Sequence, residues 1–293
     1  MGRASADRPP RRAALLMGPG TALITLTYVI PGLLILLYSF LSPKLGGGVR
    51  WDFSLDTYRA LVAPDVRAAL YNDYVTVLVR SVVWAGIATG VCLALALPVA
   101  VFIHARRSTT ARYALLVAIM IPFWTSMLVR TYALRSLLST TGVLNGVIER
   151  LFGDTIIFLS TPKAVILGLI YTALPFMILP VYAAVARVDP HLLEAGRDLG
   201  ANPAQTFRRV FLPSIRAGTV TGCVLVFVLS VSQFIVPALL GGGKINMIAN
   251  LIELQFGESF NWPLGAGLAI FFSALTLLGL RVVGRRTQEV ELP

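Results

Sequence analysis

Long apolar runs dominate this chain, and short polar islands separate them. Runs free of Asp and Glu cover about 13–40, 74–103, 113–134, 164–186, 217–240 and 264–284. Each is long enough to cross a hydrocarbon core of roughly 30 Å as a helix. A helix closes its backbone hydrogen bonds within one segment, which lipid demands. The pattern therefore predicts an all-α integral membrane protein with six transmembrane helices in one domain, residues 13–284. A basic tail, 1–12, precedes it and a short tail, 285–293, follows. Pro31, Pro98, Pro122, Pro175 and Pro180 lie inside the runs, where kinks are tolerated. The segments 41–73, 135–163 and 241–263 read as outer loops, with a short helix near Leu144–Phe152.

The polar island 187–216 has its own punctuation. Asp189 before Pro190 and Asn202 before Pro203 each predict a helix start, a capping side chain followed by a proline whose missing N–H costs nothing there. Gly200 stands where the first helix must stop in a left-handed conformation. Pro213 limits the second helix. The expected product is a helix–turn–helix elbow, rich in Arg and too short to be a domain.

Composition changes the picture little. The chain is 56% hydrophobic with a mean hydropathy of +0.78, beyond a soluble domain. Its net charge of +11 raises the question of nucleic-acid binding. The charge is lopsided, however. With the elbow and both termini placed inside, that face carries 15 basic and 6 acidic residues, and the outer face 10 and 8. This is the positive-inside bias of a membrane protein, so no nucleic-acid partner is expected. The first run is too long for a signal-peptide core and lacks a small-residue cleavage site, so it reads as an uncleaved span. Cys92 and Cys223 fall inside apolar runs. With His104 and His191 they form no metal constellation.

The spacing of the elbow resembles the signature loop of binding-protein-dependent ABC importer permeases. That loop reads Glu-Ala-Ala, three residues, Gly, nine residues, Ile, one residue, Leu-Pro. Here the positions are Glu194, Ala195, Gly196, Gly200, Val210, Leu212 and Pro213; Gly196 and Val210 depart from it, conservatively in size. The resemblance implies the type I ABC importer permease fold, with a cytoplasmic coupling helix between the fourth and fifth spans. It also implies a cytoplasmic ABC ATPase dimer, a homologous second permease subunit and an extracytoplasmic substrate-binding protein as partners. The chain would sit in the lipid bilayer of the bacterial cytoplasmic membrane with both termini cytoplasmic. An interfacial helix lying on lipid is the alternative for the elbow, but lipid binding explains neither the Gly nor the Leu-Pro spacing.

Further runs resemble the permease subunits of spermidine/putrescine importers, closest to the first of the two partner permeases. They are Pro122-Phe123-Trp124-Thr125 with Arg130, Leu138-Ser139-Thr140, Leu144-Asn145, Leu174-Pro175-Phe176 and Trp262-Pro263. A polyamine path needs aromatic faces and acceptor oxygens. Phe123, Trp124, Tyr171, Phe176, Gln233 and Phe234 are the candidates within the spans. Each has a packing alternative: the aromatics suit helix packing or lipid contact, and Gln233 suits a bond between helices. Arg130 counts against a simple cation funnel, and either snorkels to the interface or pairs with a partner subunit.

The chain carries no nucleotide site of its own. Gly241-Gly242-Gly243-Lys244-Ile245 lacks the leading Gly and the hydroxyl residue of a phosphate-binding loop. ATP hydrolysis is therefore expected in a separate subunit, and no catalytic residue, metal or cofactor here. A secondary transporter would need ionisable coupling groups inside the spans, and those hold no carboxylate. An enzyme would need a polar cluster, for which Asp189, His191, Glu194 and Asp198 are the sole candidates and Asp189 is already used as a cap. An importer of the same class carrying another small organic solute remains the closest rival.

Overall fold

A computed structural model describes residues 19–44, 46–62, 73–243 and 245–288. The expected tail 1–12, the first residues of the opening span and residues 289–293 lie outside them. The elements run α1 (Pro19–Tyr38), β1 (Leu41–Pro43), β2 (Val49–Phe53), α2 (Asp56–Val62), α3 (Asp73–His104), α4 (Thr109–Met120), α5 (Met127–Leu138), α6 (Val143–Phe152), α7 (Pro162–Val185), α8 (Pro190–Asp198), α9 (Pro203–Ser214), α10 (Arg216–Val231), α11 (Ile235–Leu240), α12 (Ile248–Gly257) and α13 (Trp262–Gln288). Among the described residues α1, α3, α7 and α13 are each long and apolar enough to cross a membrane. Two bent pairs raise that number to six if each is one span: Thr109–Trp124 with Met127–Phe152, bent by 92°, and Pro203–Ser214 with Arg216–Val231, bent by 66°.

Two expected spans are broken rather than straight. The run 113–134 leaves α4 through a tight turn at Ile121–Trp124, opened by Pro122, and is extended at Thr125 (φ −89°, ψ 151°). The Thr125 hydroxyl donates to the Pro122 carbonyl at 2.7 Å, a side-chain bond that replaces the next helical one. The run 217–240 stops at Val231 and resumes at Ile235, and the Ser232 hydroxyl donates back to Val228 O at 2.8 Å. Pro175 and Pro180, by contrast, stay within the unbroken α7. The segments expected as outer loops hold more structure than that. Strands β1 and β2 pair antiparallel, and 248–257 form α12.

The chain divides into two compact units, Met1–Asp65 with Leu254–Ala274, and Val66–Glu253 with Leu275–Pro293. In the first, the Ser39 and Tyr58 hydroxyls lie 2.7 Å apart, and the rings of Tyr38 and Trp262 stack at 6.2 Å. Gly48 N–H donates to the Phe260 carbonyl at 3.2 Å, which ties the hairpin to the segment before α13.

The core of the second unit is the trio α3, α7 and α10. Helix α3 meets it with small residues at every fourth position, Ala88, Cys92, Ala96 and Ala100, all fully buried. Such a seam lets helix backbones approach where lipid gives no hydrophobic drive. Met177, Val181 and Val185 of α7 fill the space opposite, with Val226 of α10. Gly218 and Gly222 bring α10 equally close. A β-carbon at Gly218 would lie 2.5 Å from Ala184 Cβ and 2.7 Å from the Pro180 carbonyl oxygen, and one at Gly222 2.8 Å from Met177 Sδ.

Candidate functional site

The elbow is built as its punctuation predicts. Asp189 accepts from His191 N–H at 3.0 Å and caps α8. Asn202 and Gln205 form a reciprocal capping box at the start of α9, with bonds of 2.8 and 3.0 Å. Between them Gly200 adopts φ +81°, the left-handed region that a β-carbon opposes. Its N–H donates to Arg197 O at 2.9 Å and that of Ala201 to Gly196 O at 3.1 Å, which closes the helix end. One expectation is corrected. Pro213 does not end α9, which runs on to Ser214 and turns at Ile215 (φ −95°, ψ 2°). A wide π-turn over Phe207–Phe211 precedes the proline and accommodates its ring and missing N–H.

The two short helices pack on each other through the signature positions. A β-carbon at Gly196 would meet Val210 Cγ2 at 3.4 Å and Thr206 Cγ2 at 3.8 Å. Gly196 and Val210 thus form the inner contact. Glu194 and Ala195 point outward, and Glu194 Oε2 lies 3.3 Å from His191 Nδ1. Leu192 and Ala195 of α8 and Leu199 just past its end are exposed, Leu199 by 89%. Leu212 and Pro213 are exposed on α9. Of the seven signature residues, Gly196 and Val210 face each other, while Glu194, Ala195, Gly200, Leu212 and Pro213 are exposed.

The candidate path residues do not all converge. Phe123 and Phe176 meet edge to face, their ring centroids 4.8 Å apart. Phe176 and Gln233 line a cleft of about 30 Å³ with Thr172, Ala173, Leu229 and Ser230. Gln233 sits in the break between α10 and α11, with its amide nitrogen 4.0 Å from Met127 Sδ. Pro175 and Pro180 have no N–H for the carbonyls four residues back, those of Tyr171 and Phe176. Trp124 is 91% exposed, and Tyr171 and Phe234 are also at the surface. The Phe234 carbonyl accepts from Asn250 Nδ2 at 2.7 Å.

Three residues outside the predicted set shape this region. Asn145, fully buried on α6, donates from Nδ2 to the carbonyls of Ser139 and Ile156 and accepts from Ile156 N–H, all at 2.9 Å. Ser81 accepts from Ile248 N–H at 2.8 Å, fixing the start of α12 to α3. Arg80 donates to the Asn246 carbonyl and lies 5.4 Å over the Trp84 ring. An isolated Asn or Arg amid apolar residues is the sequence signal for such contacts, but its partners are distant in the chain.

The family model for the inner membrane component of binding-protein-dependent transport systems matches residues 86–285. The chain belongs to that family. The permease is similar to the spermidine/putrescine transport system permease protein PotB of Escherichia coli K12, 39% identical over 271 residues, covering 90% of this chain and 94% of that one. PotB of Haemophilus influenzae is 38% identical over 252 residues, 85% of each chain. A crystal structure of a bacterial alginate ABC transporter, in complex with an alginate pentasaccharide-bound periplasmic protein, matches with a TM-score of 0.72 over 96% of both chains at 18% identity. The permease therefore has the all-α fold of ABC importer permeases. It is a multi-pass inner-membrane transport subunit, not an enzyme, and the matched residues include both the elbow and the cleft.

Proposed function

We propose that this permease is half of the pore of an ATP-driven importer that carries a polyamine, spermidine or putrescine, across the cytoplasmic membrane. The observation that carries the reading is the 39% identity to a spermidine/putrescine permease over 94% of that protein's length. The reading has six spans in one domain, 13–284, with both termini and the elbow cytoplasmic, as the charge bias supports.

Its partners are a cytoplasmic ATPase dimer, a homologous second permease and an extracytoplasmic binding protein. The family description names binding-protein dependence, and the alginate transporter was crystallised with its periplasmic protein. The elbow is the coupling helix. Its exposed Leu192, Ala195 and Leu199 give an ATPase groove apolar side chains to hold, while Gly196 and Val210 lock α8 to α9 so that the two move as one piece. Closure of the ATPase dimer then draws two elbows together and opens the cavity outward. Phe123, Phe176 and Gln233 line the path within this chain. Trp124, Tyr171 and Phe234 face outward, toward the side that the second permease closes.

Uptake of labelled spermidine and putrescine by cells with and without this chain tests the reading. Loss on deletion, restored by the wild-type gene but not by Gly200→Val, is expected. Unchanged polyamine uptake on deletion would remove the cargo assignment and favour another small organic solute in the same class.

A further inference from the structure

Arg130 is half-buried and rests against an aromatic ring of its own chain. It lies in the first turn of α5 with its guanidinium 4.6 Å over the ring of Phe123. Its Nε is buried without a hydrogen-bond partner, and among the described residues it makes no ion pair. The spans hold no carboxylate to neutralise it. Among the described residues the face of Phe123 is the one side-chain partner of this charge, through the ring quadrupole. Phe123 in turn abuts Phe176, whose ring opens on the cleft with Gln233 and Ser230. Ser230 is 1% exposed, and its hydroxyl oxygen has no partner. A cation, two touching aromatics and an unsatisfied hydroxyl therefore form a continuous line.

A fixed positive charge on this line would repel a polycation in a medium of low dielectric. A tethered charge that can leave would instead act as a stand-in for the cargo. We propose that Arg130 is a built-in surrogate for a substrate ammonium group. It covers the Phe123 face while the path is empty. A primary or secondary ammonium of the arriving cargo displaces it, and a second ammonium of the same molecule reaches the Ser230 hydroxyl and the Gln233 side-chain oxygen. A solute without a cation does not displace the guanidinium, so the contact selects for charge before the cavity changes its access. The inference rests on the polyamine reading above and assigns to Arg130 the part of a specificity-determining gate.

The test uses the whole importer, this chain with its partner permease and ATPase, in lipid nanodiscs without the binding protein. Labelled spermidine is bound by equilibrium dialysis. Removing the tethered competitor in Arg130→Gln should tighten binding by about tenfold, the size of one partly desolvated cation–π contact. Arg130→Lys keeps a competing cation and should stay near wild type. Adding Phe123→Leu to Arg130→Gln should abolish the gain, because the vacated face is then gone. Arg130→Met provides the same test if the Gln variant fails to assemble. Equal or weaker binding by the uncharged variants, beside normal spermidine uptake by the wild-type importer, would overturn the gate alone. Absence of polyamine uptake by the wild-type importer would overturn the cargo reading and the gate with it.

Discussion

The elbow and the aromatic cleft are built by opposite means. Every bond that shapes the elbow joins residues close in sequence: Asp189 to His191, Asn202 to Gln205, Gly200 to Arg197. The cleft joins residues far apart, Phe123 to Phe176 and Phe176 to the break at Gln233. A locally specified piece keeps its shape wherever it is carried, which suits a part that must transmit force. A piece assembled from three helices changes shape when any of them shifts, which suits a part that must open.

Four substitutions sharpen or break that contrast, taken from the largest expected effect. Gly218→Val should fail most completely. Its side chain meets the Pro180 carbonyl and Ala184, backbone as well as side chain, and overpacking of this kind costs about 1–3 kcal/mol or more. Low amounts of chain in the membrane, read by immunoblot, would be the result; normal amounts would mean that α7 and α10 do not clamp the cleft. Gly200→Val should leave the amount of chain normal but reduce uptake to background. A β-branched residue at φ +81° costs about 1–3 kcal/mol, all of it inside the elbow. Full uptake by that variant would break the link between elbow shape and transport.

Asn202→Ala removes one cap, about 1 kcal/mol, and should lower ATPase co-purification by a few-fold without altering spermidine binding. A change in spermidine binding with ATPase association intact would contradict the separation of the two regions. Trp124→Ala should be the mildest, changing the uptake rate less than threefold with ATPase association unaltered, since the ring makes little contact within this chain. A complete loss of uptake would place Trp124 at the centre of the path or of the interface with the second permease.

The same contrast explains what the sequence discloses. The caps at Asp189 and Asn202 and the turn at Gly200 are written in neighbouring residues, so the elbow is legible almost residue by residue. The long apolar runs also disclose the membrane fold. The breaks at Ile121–Thr125 and at Ser232–Phe234 are not disclosed, because of the in-run prolines only Pro122 opens a break, Pro175 and Pro180 sit in an unbroken helix, and the second break has no proline at all. Convergence of Phe123, Phe176 and Gln233, with Trp124 and Tyr171 left outside, depends on how three helices pack. No local pattern encodes it. Arg130 is readable as an anomaly, but its seat on Phe123 required the bend after Trp124.

The buried Asn145 carries a consequence for the chemical lifetime of the protein. It is followed by Gly146, and an Asn-Gly pair is the dipeptide most prone to deamidate, because an unhindered Gly nitrogen can attack the side-chain amide. Here the amide is held away by three bonds to Ser139 and Ile156, and the helical backbone turns Gly146 N–H to the Gly142 carbonyl instead. Were the amide lost, a carboxylate would face two carbonyl oxygens in a buried site, and the segment could not close again. The fold thus shields its most perishable side-chain amide, and deamidation at Asn145 is expected to be slower than at an exposed Asn-Gly pair.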